Sequence, residues 1–382
     1  MVVIYPDDWY DLKGKLQPVG SRPPVIVVVG AKNMGKSTLI RFLINQLRDT
    51  YPSICRLEAD PGQPDYSCPG VLNLSITSRD IRKPQVVSQR FVGFVNPATE
   101  PFYYVEVVSR LVNDYRSNHP TIPLIVNMHG WSTSTGVQTW QSVLLSVQPD
   151  YVVYLGTDLI EFEIPERNPF ATSDSAPISF QWIFANPVVV LPGDEEGELL
   201  SKETAGDQRW KKYAAHFRPD LVVKDEYKSC HPKEFFRFPY VRMLRLARSM
   251  VSLEFCSYIN TPADKAKAVE GLIVGLCNAE SDQVICLGMV SGFDEVNIYV
   301  VIPPNIPRKY QESIDVIVRG EMNWSPRERV CHKGRYSVTE TLPSSSVGEP
   351  YFLPNCVTDD AGGGKTASTR TNLRRKRLSN NS

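Results

Sequence analysis

The sequence predicts an α/β fold, with a mainly parallel sheet and helices on both faces, followed by a smaller β-rich C-terminal domain and a disordered basic tail. Three observations predict it. An unbroken apolar run, Val25–Val29, ends at a glycine and leads into a stretch with apolar residues at helical spacing. Strand-like runs then alternate with helix-periodic ones as far as Leu155, the pattern of strands joined by crossover helices. Beyond Ala268 come four short apolar runs, "AVEGLIVGLC", "QVICLGMV", "VNIYVVIPP" and "IDVIVRGEM", which read as strands of a separate sheet.

The first strand, turn and helix read VIVVVGAKNMGKSTLIRFLINQL, residues 25–47. Gly30-x-x-x-x-Gly35-Lys36-Ser37 has the spacing of a phosphate-binding loop. The two glycines permit backbone conformations closed to other residues, and the loop N–H groups with the helix N-terminus cradle a phosphate. Lys36 is suited to neutralise phosphate oxygens and the Ser37 hydroxyl to ligate Mg²⁺. Ala31, Lys32, Asn33, Met34 and Thr38 complete the expected ATP-binding segment.

Further strands are expected at Ile54–Ala59, Val71–Ile76, Ile122–Asn127 and Tyr151–Leu155, and helices at Tyr103–Asn118 and Val137–Val147. Ligands of such sheets sit beyond the carboxyl ends of the strands, so the residues after Val29, Ala59 and Asn127 matter most. From Thr157 to Pro232 the pattern loosens into prolines and acids, including "GDEEGE" at 193–198, a solvated face or a lid. A helix is expected over Phe235–Met250, with Arg242, Arg245 and Arg248 at three-residue intervals. The tail from Ser344 is rich in Ser, Gly, Thr and Arg, and its "RRKR" at 374–377 reads as a nuclear localisation signal or a nucleic-acid contact.

The formal net charge of zero hides an asymmetry. Six of the 42 Lys and Arg, and none of the 42 acids, lie in Ala361–Ser382, so the body is mildly acidic and the tail basic. Eight cysteines form no C-x-x-C pair and the five histidines cannot complete a zinc cluster at standard spacing, which points to reduced thiols in an intracellular protein. The N-terminus lacks the basic start of a signal peptide, and no apolar run approaches the 18 residues of a membrane span.

Past the second strand comes "LEADPGQPDYSCPG", residues 57–70. Glu58 and Asp60, two apart at a strand end, are expected on one side, where they can organise Mg²⁺ or accept a hydroxyl proton. GTPases place D-x-x-G-Q here, one residue longer than Asp60-Pro61-Gly62-Gln63, and neither N-K-x-D nor the L-S-G-G-Q of transporter ATPases occurs. Phosphotransfer is therefore favoured over switch and motor functions. A third element, "VNMHGWSTSTG" at 126–136, places Trp131 beside Gly130 at a strand end, where its π-face suits a nucleobase.

Together these segments resemble the polynucleotide 5′-hydroxyl kinase family, and "LEADPGQPDYSCPGVLNLSIT" resembles its pre-ribosomal-RNA-processing branch more than its mRNA-cleavage branch. "PLIVNMHGWSTSTGVQTWQSVLLSVQPDYVVYLG", "VRMLRLARSM", "ICLGMVSGFDEVNIYVVIPP" and the glycine-then-basic tail carry the likeness across roughly residues 22–380. The expected organisation is a short N-terminal extension (1–24), where the family branch normally has a folded N-terminal domain, then a P-loop polynucleotide kinase domain (25–260), a C-terminal β-rich domain (261–343) and the tail (344–382). The resemblance implies ATP and Mg²⁺ as cofactors, RNA or DNA with a 5′-hydroxyl end as acceptor, and a nuclear, nucleolar place in pre-rRNA processing. By the family pattern Lys36, Asp60 and Glu58 are catalytic, Ser37 and Asp60 hold the metal, and Gln63, Gly130 and Trp131 contact nucleic acid. Arg242, Arg245 and Arg248 are then lid candidates. Met128 and Thr133 stand where the family has Thr and Lys, which implies a weaker hold on the acceptor. The competing reading is an ATP-binding scaffold with little kinase activity that supports an endoribonuclease partner of pre-rRNA spacer cleavage.

Overall fold

The computed structural model describes residues 2–79, 83–156, 178–191, 205–223, 242–256 and 269–322. The chain divides into two units, Met1–Ser201 and Lys202–Ser382, a division earlier than the boundary at 260 expected from the sequence.

The first unit is built on a seven-stranded sheet ordered β5-β4-β3-β6-β2-β7-β8. These strands are β2 (Val25–Gly30), β3 (Ser53–Ala59), β4 (Val71–Ser78), β5 (Gln85–Phe91), β6 (Leu124–Met128), β7 (Tyr151–Leu155) and β8 (Gln181–Ala185). β3, β6, β2, β7 and β8 run parallel, while β4 and β5 add an antiparallel edge. All six residues of β2 are buried because both faces of the sheet are covered. Val25, Val27 and Val29 face α3 (Pro101–Asn118) and α4 (Thr135–Val147), where Tyr104, Val108, Leu111, Trp140 and Leu144 fill the interface. On the opposite face, Ile26 and Val28 meet α2 (Lys36–Leu47) through Leu39, Ile40 and Leu43. The alternation of strand side chains thus supplies two separate cores to one sheet.

The first 24 residues are part of this unit. β1 (Val2–Ile4) pairs antiparallel with β9 (Val189–Leu191), and α1 (Asp8–Lys15) places Trp9 and Leu12 in the core under α2. Trp9 Nε1 donates to the Asn186 carbonyl, and the Asp8 carboxylate accepts the Asn186 N–H. Residues 186–191 are thereby strapped to the N-terminus.

In the second unit α5 (Ala205–Phe217) and α6 (Pro219–Val223) accompany a six-stranded sheet ordered β10-β14-β13-β12-β15-β11. Its strands are β10 (Arg242–Ala247), β11 (Ser252–Phe255), β12 (Ile273–Asn278), β13 (Gln283–Phe293), β14 (Asn297–Ile302) and β15 (Val316–Arg319), with a short helix α7 (Arg308–Gln311) before the last. The four apolar runs beyond Ala268 supply β12 to β15.

One expected element is corrected. Where the sequence suggested a helix over Phe235–Met250, residues 242–247 form strand β10, antiparallel to β14. Arginines at three-residue intervals fit a helix, but Leu244 and Leu246, two apart, both pack on the core of this sheet and decide for a strand. Arg242, Arg245 and Arg248 are exposed there; Arg245 donates to Asn297 and Arg248 to the Asp294 carbonyl. Residues 235–241, the acidic "GDEEGE" and the whole basic tail lie outside the described residues. No helix among the described residues is long and apolar enough to cross a membrane.

Candidate functional site

The carboxyl ends of β2, β3 and β6 converge as their parallel order requires. β2 ends at Gly30 and α2 begins at Lys36, so the intervening loop delivers the helix N-terminus to the sheet edge. Gly35 stands at φ 95°, in the left-handed region, and a Cβ there would run into the Val188 side chain. Only glycine serves on both counts. Lys36 is 8% exposed, and its Nζ donates to the Ala31 carbonyl at 2.9 Å, which closes the loop. Burial lowers its pKa, with the Asp60 and Glu58 charges pulling the other way.

Asp60 follows β3. Its Oδ1 accepts the N–H groups of Gly62 (2.9 Å) and Gln63 (3.2 Å), an Asx turn that fixes the carboxylate and leaves Gln63 exposed. Burial raises the Asp60 pKa against the attraction of Lys36. The two groups expected to work together are thus electrostatically coupled at the carboxyl ends of two strands of one sheet.

Glu58 differs from Asp60 in its surroundings. It is fully buried, its Oε2 held by Arg56 Nη2 and its Oε1 by Asn127 Nδ2, each at 2.5 Å. Burial pushes its pKa up to about 7, against the pull of Arg56. Arg56, itself inside the sheet, also pairs with Asp65, which in turn binds Arg41 of α2. Asn127 Nδ2 reaches Ser37 Oγ at 3.5 Å, so Glu58 stands behind the phosphate loop as a support for Asn127. Replacing Arg56 by Leu would strand the buried Glu58 carboxylate without its cation, while Asp65 keeps Arg41, and is expected to cost about 3–5 kcal/mol in urea unfolding. The double variant Arg56→Leu/Glu58→Leu should recover much of that loss; a single-variant loss within the roughly 1 kcal/mol of an exposed pair would refute a buried-charge role.

The third strand end carries Gly130 and Trp131. Gly130 lies so close to the phosphate loop that a Cβ would come within 2.8–2.9 Å of Lys32 atoms, so this turn and the loop are packed together. Trp131 is half-buried, its ring against Gly136 in the first turn of α4. Sequence reasoning passed over Asn127 and His129, both buried between these parts. A polar pair ending the apolar run Leu124–Val126 was the available signal. Met128, expected to face the acceptor, has its side chain fully buried in the core with α3 and α4, where it packs. Thr133 is exposed, as expected for a residue facing a ligand or solvent.

Comparison with known proteins agrees with this construction. The family described as mRNA cleavage and polyadenylation factor CLP1 P-loop matches residues 30–174. A polynucleotide 5′-hydroxyl-kinase NOL9 of Arabidopsis thaliana is 25% identical over 349 residues, covering 82% of this chain and 90% of that protein. The Mus musculus protein of the same name is 32% identical over 145 residues, and the Candida albicans polynucleotide 5′-hydroxyl-kinase GRC3 is 32% identical over 163. Those two matches cover 36% and 38% of this chain but only 20% and 23% of the relatives. Among solved structures, one of the extended interface between Pcf11p and Clp1p shares the fold, with a TM-score of 0.58 at 11% identity over 85% of this chain and 81% of the other. A wild-type Clp1p–Pcf11p complex gives 0.55 at 11% identity, over 83% and 79%. Residues 30–174 thus match the CLP1 P-loop family, and over most of its length the chain is similar to proteins named polynucleotide 5′-hydroxyl-kinase NOL9 and GRC3.

Proposed function

We propose that the protein transfers the γ-phosphate of ATP to the 5′-hydroxyl of an RNA end. The observation that carries this reading is the pairing of Asp60 and Lys36: a carboxylate just past the carboxyl end of β3, raised in pKa by burial, is electrostatically coupled to the phosphate-loop lysine. Asp60 takes or orients the hydroxyl proton as the acceptor oxygen attacks in line with the leaving ADP. Lys36 and the N–H groups at the start of α2 stabilise the charge spread over the transferred group. Ser37 and Asp60 offer oxygen donors, the kind Mg²⁺ prefers, and among the described residues no cluster of three or more His, Cys, Asp or Glu makes an all-protein metal cage. That donor set fits Mg²⁺ held jointly by protein and ATP phosphates, which when bound supplies further neutralisation of phosphate charge.

Trp131, with Gln63 exposed on the neighbouring strand end, is assigned to the acceptor, and a nuclear or nucleolar role in pre-rRNA processing beside an endoribonuclease goes with the same reading. The scaffold alternative drew on Met128 and Thr133. With Met128 packed in the core, that reading rests on Thr133 alone. Transfer of labelled γ-phosphate from ATP to a 5′-hydroxyl RNA oligonucleotide tests the proposal; ATP binding without transfer would reject it. Trp131→Ala is expected to weaken RNA use about 10-fold or more, the usual worth of a stacked base, with ATP affinity within about twofold. Equal losses for RNA and ATP would make Trp131 a packing residue.

A further inference from the structure

We propose that His129 is a positioning residue that sets the Trp131 turn for the nucleic-acid acceptor by accepting the Trp131 backbone N–H on its Nδ1. The inference rests on the kinase reading for the identity of the acceptor, but its geometry stands alone. His129 is the first residue past β6 and is 2% exposed. Its Nδ1 receives the Trp131 N–H at 3.2 Å, and its carbonyl receives Trp140 Nε1 of α4 at 3.2 Å. Three aromatic rings enclose the imidazole: Tyr104 edge-on at 5.5 Å, Trp140 at 6.1 Å and Trp131 at 6.3 Å between centroids.

Tyr104 extends this contact to the second strand end. Its hydroxyl donates to the Ala59 carbonyl at 2.6 Å, immediately before Asp60. Through Tyr104 the imidazole is thus linked to the strand end that carries Asp60, and through its own Nδ1 to the Trp131 turn. Accepting on Nδ1 selects the Nε2–H tautomer, and Nε2 is buried with no hydrogen-bond partner among the described residues. The only hydrogen bond shown for the side chain is thus the one to the Trp131 backbone. Burial, aided by the Lys36 charge, holds the ring neutral by pushing its pKa down to about 3, so Nδ1 stays an acceptor through the physiological range.

A bulky neutral residue could fill this space equally well, and the choice of variants separates packing from acceptance. In His129→Asn the amide Oδ1 can stand where Nδ1 does. In His129→Gln the amide reaches the Nε2 position instead, and His129→Leu supplies volume with no acceptor. The Leu and Gln variants are expected to bind a fluorescent 5′-hydroxyl RNA about tenfold more weakly by anisotropy, with KM for RNA raised equally. Their kcat at saturating RNA and their ATP affinity should stay within about twofold, and the Asn variant should return to the wild-type value. Thermal melting of each variant checks that the fold survives. Wild-type RNA affinity in His129→Leu would overturn the proposal, as would an Asn variant impaired as severely as Leu while melting like the wild type. Parallel loss of ATP affinity would overturn it too. If the wild type binds RNA but transfers no phosphate, the kinase reading fails while the same anisotropy series still decides the role of His129.

Discussion

Asp60→Asn is expected to lower the rate of phosphate transfer by about 10²–10⁴-fold, the usual contribution of a positioned general base, with ATP affinity within about threefold of wild type. The variant is informative because it separates two jobs of one side chain. Oδ1 of Asp60 accepts the Gly62 and Gln63 N–H groups, and asparagine keeps an oxygen for both. The turn, the exposure of Gln63 and the fold should therefore persist. What disappears is the negative charge coupled to Lys36 and, on the proposed reading, the capacity to take the hydroxyl proton and the charge offered to Mg²⁺. Single-turnover transfer from labelled ATP to a 5′-hydroxyl RNA reads the loss, and a rate within tenfold of wild type would remove Asp60 from the chemistry. Glu58→Gln provides the contrast. Since Glu58 sits behind Asn127 and is paired with Arg56, its loss should show first in stability and in the seating of the loop.

Much of this site was legible before any coordinates, and the reason is local. A phosphate loop is specified within eight residues by backbone freedom at Gly30 and Gly35 and by the chemistry of Lys36 and Ser37, so spacing alone carries it. Strands β2, β6 and β7 were legible for the same reason: buried on both faces, they are continuous apolar runs. What escaped depends on distant partners. β1 is three residues long and exists because β9, more than 180 residues later, pairs with it. β10 was mistaken for a helix because charge spacing outvoted two leucines whose common face becomes visible only against β14. Within the site, Glu58 was expected beside Asp60 from strand alternation. Asp60 lies beyond the end of β3 in its own turn, so the alternation no longer governs it. Met128 was judged by its position in a motif, while its burial followed from the strand's alternation with Leu124 and Val126.

Lys36→Ala should abolish measurable transfer, a loss exceeding about 10³-fold, because the lysine is the only buried cation of the phosphate loop and acts where charge develops. Stability should change little or rise. Burial disfavours the ammonium, as its lowered pKa indicates, and its one hydrogen bond is to the carbonyl of Ala31 in the same loop. ATP affinity is expected to fall as well, since on the proposed reading Lys36 binds the phosphates already in the ground state, whereas Asp60→Asn should spare it. That difference distinguishes a phosphate-binding cation from a residue acting on the acceptor. Lys36→Arg is not expected to rescue: the guanidinium is larger and planar, and the site that leaves Lys36 only 8% exposed is bounded by the loop backbone and by Asp60. Titration of a fluorescent ATP analogue beside the transfer assay measures both effects. Retention of transfer by Lys36→Ala would show that the phosphate loop is not where the reaction occurs, and the Asp60 result would then have to be explained by some other donor site.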